Sequence, residues 1–408
     1  MVPNGWEKYI GSEITSKITK GSSPKWQGFD YQDSGTLFVT SENVRDGYLD
    51  VSKPKYLPIE FNQKLKNSQL KSGDILINIV GASIGRSCQY NIDNQQANIN
   101  QAVCLFRTNE LVESNYIHQF LQLPSTVNRL LGTQTDSARP NLSLSDMREF
   151  TFAVPPLPEQ RKIAQILSTW DRGIATTEKL IDASKQQKKA LMQQLLTGKK
   201  RLVDPETGKA FEGEWEEVEL GKITSIYDGT HSTPKYVEKG IPFYSVEHLT
   251  CDDFSNTKFI TEEVFKKENK RVKLERDDIL MTRIGDIGTA KHLNWDVCAS
   301  FYVSLALIKA NKSKFNSAYM GYYINSHEFH RELYKRTIHV AFPKKINLGE
   351  INHCKVLLPS ISEQQKIAFV LTAADKEIEL LAAKLAHFKQ EKKALMQQLL
   401  TGKRRVKV

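Results

Sequence analysis

K-K-A-L-M-Q-Q-L-L-T-G-K-K-R, residues 188–201, returns 204 residues later as K-K-A-L-M-Q-Q-L-L-T-G-K-R-R, residues 392–405, with only Lys200 replaced, by Arg404. The register holds upstream, where Glu159, Gln160, Lys162, Ile163, Ala164 and Asp171 recur as Glu363, Gln364, Lys366, Ile367, Ala368 and Asp375. A unit this long is a duplicated domain and lies outside the periods of solenoids and propellers. Two similar halves in one chain imply a pseudo-two-fold relation, as between the subunits of a homodimer. Such a chain suits a target that itself has two halves.

Both repeats belong to long proline-free runs, residues 159–197 and 363–401, rich in the helix formers Leu, Ala, Gln, Lys and Glu. In the first, Ile163, Leu167, Trp170, Ile174, Thr177, Ile181, Ser184, Lys188, Leu191 and Leu195 fall at alternating steps of four and three. In the second, Ile367, Leu371, Ala374, Ile378, Leu381, Leu385, Phe388, Lys392, Leu395 and Leu399 fall at the same steps. This heptad seam predicts that the two helices pair as a left-handed coiled coil. A two-fold relation makes the pair antiparallel, a rod of roughly 58 Å at ~1.5 Å per residue, with a globular domain near each end. Pro155-Pro156-Leu157-Pro158 and Pro359-Ser360-Ile361-Ser362 precede the helices, and Ser362 with Gln365 reads as a capping box. Gly198 and Gly402 stand where C-terminal glycine caps belong, each followed by a basic cluster that complements the helix dipole. Gly173, inside the first helix, costs about 1 kcal/mol against alanine and is where a bend is expected.

The remainder repeats more weakly. Trp6-Glu7 matches Trp215-Glu216, and Gly21-Ser-Ser-Pro-Lys-Trp26 echoes Gly229-Thr-His-Ser-Thr-Pro-Lys-Tyr236. Asp74-Ile-Leu-Ile-Asn78 aligns with Asp278-Ile-Leu-Met-Thr282, each followed by a glycine pair. Short β-type runs alternate with helical stretches at 115–131 and 317–335, so the fold class is α+β, with two mixed α/β domains joined by the paired helices. Residues 204–208, Asp-Pro-Glu-Thr-Gly, read as a turn-rich linker.

The net charge of +10 is unevenly placed. Residues 157–202 hold ten Lys/Arg against four Asp/Glu, and 361–408 hold ten against five, so the excess lies on the helices. That is not the coat of a non-specific polyanion binder. The five cysteines show no Cys-x-x-Cys spacing, which argues against zinc sites and a disulfide framework. No secretory leader and no 18-residue apolar span is seen, giving the expectation of a cytoplasmic protein without membrane contact.

Catalytic signatures are missing. There is no phosphate loop, no Gly-x-Ser-x-Gly elbow, no His-Glu-x-x-His, no glycine-rich cofactor turn and no Asn/Asp-Pro-Pro-aromatic loop. His327 and His330, at i and i+3, read as a satisfied or surface pair, so no metal site is expected. The candidates for nucleic-acid contact are cations and aromatics on loops that differ between the copies. Lys25-Trp26 and Lys235-Tyr236 occupy equivalent loops; lysine can hold a phosphate or a guanine edge, and an aromatic can stack. The competing reading makes each aromatic a plug of its own core. Arg139 and Asn141, in Arg139-Pro-Asn-Leu, stand opposite Lys344 and Lys345, in Phe342-Pro-Lys-Lys345, and could reach DNA or simply be solvated. Arg86 and Arg283, beside the glycine pairs, are weaker candidates.

With these repeats in place, the chain resembles the specificity subunit of Type I restriction-modification systems. The resemblance is carried by Pro155-Pro-Leu-Pro-Glu-Gln-Arg-Lys-Ile-Ala164, its echo Leu358-Pro-Ser-Ile-Ser-Glu-Gln-Gln-Lys-Ile-Ala368, and the doubled L-M-Q-Q-L-L-T-G-K. It covers the whole chain: target-recognition domains at 1–155 and 203–358, spacer helices at 156–202 and 359–408. It implies that each domain reads one half of a split double-stranded DNA site while the helices set the gap. It further implies docking of two adenine-N6 methyltransferase subunits, which bring S-adenosylmethionine, and of motor-nuclease subunits, which use ATP and Mg. No cofactor is expected in this chain. Ile166, Leu180, Met192 and Met396, apolar but off the seam, either face those partners or are coiled-coil shoulders. A coiled-coil adaptor with protein-binding ends and a self-contained enzyme are the competing classes. Divergence confined to loops weighs against the first, and the missing motifs weigh against the second.

Overall fold

The two proline-free runs are helical throughout, Leu157–Leu195 and Ile361–Leu399, 39 residues each, in a computed structural model that describes residues 3–132 and 141–408. They start at equivalent positions although the preceding residues differ. In the first, the Pro156 carbonyl accepts the Glu159 and Gln160 N–H groups. In the second, Ser360 Oγ accepts the Glu363 N–H at 3.3 Å, so the cap sits on Ser360 and the expected box at Ser362 is not the one used. Both helices end on left-handed glycines, Gly198 at φ 70° and Gly402 at φ 68°. A Cβ on Gly402 would lie 2.3 Å from Pro3 Cγ, and one on Gly198 would lie 3.5 Å from the Trp215 ring. Each cap therefore doubles as the seat for the start of a domain. The first helix runs unbroken through Gly173, which faces the Phe388 ring.

The chain forms two compact units, Met1–Lys179 with Ala383–Val408, and Leu180–Ala382. Each unit thus owns half of each long helix. Both follow one plan. The first has a four-stranded antiparallel sheet in the order Thr15–Lys20, Val103–Thr108, Asp74–Asn78, Ser87–Tyr90. Beside it, Thr36–Val39 pairs antiparallel with Tyr56–Leu57 and parallel with Ala97–Ile99. The second repeats this with Ile226–Asp228, Leu305–Ile308, Ile279–Ile284 and Asp286–His292. Its smaller sheet again mixes directions, Ile241–Tyr244 lying antiparallel to Lys258–Ile260 and parallel to Ser300–Phe301. Two-stranded ladders, Glu7–Ile10 with Thr151–Val154 and Glu216–Glu219 with Lys355–Leu358, lead into the long helices. The helical stretches read at 115–131 and 317–335 are each two helices, Ser114–Gln122 then Pro124–Gly132, and Ser317–Ile324 then His327–Arg336. Pro124 ends the first, and Ser326 caps the restart of the second. No helix among the described residues is long and apolar enough to cross a membrane.

The ends of the seam are parts of the domain cores. Ile163, Leu167 and Leu399 are buried with Trp6, Tyr116 and Phe152, while Leu195, Ile367 and Leu371 are buried with Tyr319, Tyr323 and Phe329. Leu395 and Leu191 pack at the edges of these cores. Further along, Trp170 meets Phe388 edge-on at 5.5 Å, Ile181 is buried, and Ile174, Ile378, Leu381 and Leu385 are half-buried. Two seam positions are lysines, and each finds an aspartate on the facing helix: Lys392 with Asp171 at 2.6 Å, and Lys188 with Asp375. Glu159, Asp171 and Glu178 pair with Arg405, Lys392 and Lys389 in the first unit. Lys188 and Arg201 pair with Asp375 and Glu363 in the second. One number rises as the other falls, so the helices are antiparallel within each unit.

The repeat is tightest where helix start meets helix end. Arg405 donates from Nε and Nη2 to the two oxygens of buried Glu159, both at 2.6 Å, and lies over the Trp6 ring at 5.8 Å. Arg201 does the same to buried Glu363, both at 2.7 Å, over Trp215 at 5.7 Å. Next to each glutamate a buried glutamine ties the domain to the helix. Gln160 accepts the Glu113 N–H and donates to the Pro155 carbonyl, and Gln364 accepts the Asn316 N–H and donates to the Pro359 carbonyl. Bidentate pairing of planar groups is the strongest geometry for a guanidinium and a carboxylate.

Removing one partner of such a pair strands a buried charge. Arg201→Met should cost the second unit about 3–5 kcal/mol in urea denaturation, and adding Glu363→Met should restore most of it. Equal losses in the single and double variants would show that the pair itself is not what holds the helix ends.

Candidate nucleic-acid interface

The candidate loops leave the sheets at glycines that nothing larger can replace. A Cβ on Gly21 would fall 1.7 Å from the Ile99 carbonyl oxygen, and one on Gly229 would fall 2.1 Å from that of Phe301. The same close approach thus launches Lys25-Trp26 in one unit and Lys235-Tyr236 in the other. Trp26, on the single turn Pro24–Gln27, is 79% exposed and so is not a core plug. Lys25 beside it is also exposed. Tyr236 is 38% exposed; its ring packs on Phe243 at 5.9 Å, with Lys258 Nζ 5.0 Å from its centroid. Burial raises its phenol pKa. That ring is thus partly held by the fold and partly open to solvent, while Lys235 is exposed.

In the second unit, the loops converge on Arg283. It is 8% exposed, its Nε donates to the Ile346 carbonyl and its Nη1 to the Val303 carbonyl. Its Nη1 also lies 3.9 Å from Asp228. Burial alone would raise the Asp228 carboxyl, but the hydrogen bond and charge of Arg271, with His231 and Arg283 nearby, hold it below the usual range. Arg271 also donates to the Gly229 carbonyl, clamping the start of the Lys235 loop. Arg283 is thus held from within the fold, its Nη1 and Nε bonded to carbonyls 20 and 63 residues away. It sets the spacing of the loops that carry Lys235, Lys344 and Lys345. Lys345 bridges Ile338 and Ile284, and Lys344 accepts the Gly285 N–H on its carbonyl; both side chains are exposed.

In the first unit, the corresponding bridge joins Asn141 to Val80, and Asn141 is exposed. Arg139 lies outside the described residues. The knot here is Asn78, whose amide donates to the Ser41 and Val44 carbonyls and to Ser83 Oγ. Arg86 is exposed, with Asp46 3.8 Å away. A hairpin closed by the Val44–Leu49 bridge lies beside it, the Gly47 N–H donating to the Ser87 carbonyl. This hairpin presents Arg45 and Tyr48, the latter 60% exposed. Sequence reading missed both. A tyrosine and an arginine around Asp-Gly signal only a turn until the partner strand is known.

Of the off-seam apolar residues, Met396 is buried and Ile166 and Met192 pack on the domain cores. Leu180 remains exposed, and Phe369 and Leu380, at 68% and 71%, are more so. His330 turns a ring nitrogen to the Gly288 carbonyl at 3.1 Å. Among the described residues, no group of three or more His, Cys, Asp or Glu side chains could hold a metal ion.

The sequence matches the profile of the Type I restriction modification DNA specificity domain twice, over residues 3–185 and 212–390. It is 27% identical over 421 residues to the putative type I restriction enzyme MjaX specificity subunit of Methanocaldococcus jannaschii, covering 100% of this chain and 95% of that one. To the MjaVIII specificity subunit of the same organism it is 26% identical, covering 100% and 94%. The fold is shared with the Type I restriction-modification S subunit from M. genitalium, at TM-score 0.61 and 16% identity over 98% of this chain and 97% of that one. It is also shared with a structure described as the basis of complex assembly and conformational transition of the type I R-M system, at TM-score 0.58 and 18% identity over 98% of both chains.

Exposed and buried cations should behave differently in duplex binding. Lys345→Gln should lower the slope of log affinity against log salt by about 0.9. Arg283→Met should leave that slope unchanged and weaken selectivity between sequences instead. Titrating both variants against specific and random duplexes at several salt concentrations checks this, and the reverse pattern would place Arg283 on the phosphates.

Proposed function

Because the chain belongs to the family of Type I restriction modification DNA specificity domains, in two copies, we propose that its two units read the two halves of one split site in double-stranded DNA. The observation that carries this is the contrast between the copies. The helix ends and their Glu–Arg clamps repeat almost residue for residue, while the exposed loops around Trp26, Tyr48, Tyr236 and Lys345 do not. A surface that repeats fits identical partners, and a surface that diverges fits different base sequences.

On this reading, the long helices set the distance between half-sites and dock two copies of an adenine-N6 methyltransferase subunit. Exposed Leu180, Phe369 and Leu380 are candidates for that contact. S-adenosylmethionine would be held by the methyltransferase, and ATP with Mg by motor-nuclease subunits that join to form the restriction complex. This chain would supply specificity and no chemistry, in the cytoplasm, where the DNA is. A structural relative described in terms of complex assembly supports the scaffold role.

The test is to co-express the full chain with the type I adenine-N6 methyltransferase subunit of its host and map methylated adenines across the genome. One motif of two defined halves separated by a gap of fixed length is expected. A stable complex that leaves the DNA unmethylated, or methylates without a motif, would overturn the reading.

A further inference from the structure

The most exposed apolar side chains of the molecule among the described residues are Val340, at 96%, and Phe342, at 103%. Both lie at the tip of the loop from Ile338 to Lys345, whose ends are joined by a β-bridge. Its stem is held firmly. Ile346 is fully buried, its N–H donates to the Arg283 carbonyl, and its own carbonyl receives the Arg283 guanidinium. The His339 ring packs on Tyr334 at 4.4 Å, and Thr337 Oγ1 donates to the Leu333 carbonyl. A stem this well fixed that offers a bare phenyl ring and an isopropyl group to water is poised for an apolar slot outside the chain.

Charge identifies the slot. From residue 337 to residue 349 the chain contains no Asp or Glu and carries Lys344 and Lys345, while Lys335 and Arg336 just before it are paired with Glu332. Lys344 and Lys345 stand exposed two and three residues beyond Phe342. An apolar tip flanked by cations fits a polyanion with an apolar interior, which is the stacked duplex between its two phosphate rows. We propose that Val340 and Phe342 form a wedge that enters the groove at the half-site read by the second unit and parts one base step, with Lys344 and Lys345 on the adjoining phosphates. The wedge rests on the reading of that unit as a DNA reader. It adds a means of discrimination that needs no base-edge contact, because pyrimidine–purine steps part more readily than others.

The test uses the full chain bound to duplexes that carry the mapped motif, with 2-aminopurine substituted in turn across both halves. The wild type should brighten the fluorophore at one step of one half only. Val340→Ala with Phe342→Ala should abolish that signal and weaken binding roughly ten- to hundredfold, while Phe342→Leu retains most of both. As the residues are fully exposed, thermal stability should not move. Unchanged fluorescence and affinity in the double alanine variant would overturn the wedge. So would loss of methyltransferase co-purification with DNA parameters intact, which would assign the tip to a protein contact. A motif bound with no bright step sinks the wedge alone, whereas a wild type that selects no sequence sinks the underlying reading with it.

Discussion

The bidentate pairing of Glu159 with Arg405, and of Glu363 with Arg201, is the constraint on which the rest of the structure depends. Each pair closes one unit by joining the first turn of one long helix to the residues just past the end of the other. Its carboxylate is buried, so the guanidinium is obligatory: an unpaired charge there would cost more than the pair gains. The tryptophan under each arginine, Trp6 or Trp215, brings the domain's first strand to the same point. The neighbouring Gln160 and Gln364 bring the helix that follows the large sheet. A clamp that touches start, middle and end of a unit at once fixes where the loops on that unit stand.

This explains why Arg201 and Arg405, and the E-Q pairs 159–160 and 363–364, are kept in both copies of the repeat. The glycine must be left-handed to turn the chain beyond the helix, and the arginine must then face the glutamate of the other helix. The seam lysines follow the same logic. Lys188 and Lys392 occupy positions where a heptad asks for an apolar residue, and each is satisfied by an aspartate of the facing helix. A polar residue at such a position specifies register at some cost in stability. The loops bear no such obligations, and there the copies have drifted: Trp26 stands free where Tyr236 half packs, and the knot beneath the loops is Asn78 in one unit and Arg283 in the other.

Legibility in the sequence divides along the same line. The helices, their seam and their glycine caps were readable because periodicity and repetition are local properties of the chain. The α+β domains were readable as a class, but the parallel pairing of Thr36–Val39 with Ala97–Ile99 was not, since about 60 residues separate the two strands. The burial of Arg283 was not readable because its partners, the Val303 and Ile346 carbonyls, are brought to it only by the fold. The Ser360 cap was missed by two residues because Ser362 offered an equally plausible spacing to a Gln. The exposure of Val340 and Phe342 was not readable either, because it is the bridge between Ile338 and Lys345 that turns the tip outward.

If the clamp fixes each domain and the loops alone carry identity, the domains must be interchangeable on the helices. The direct measurement is to replace residues 215–358 by a second copy of 6–154, which sets Trp6 in the place of Trp215, and to map the methylated motif. The account predicts a folded chain whose motif becomes symmetric, the same half-site read twice in inverted orientation. A motif that keeps its original second half would contradict it.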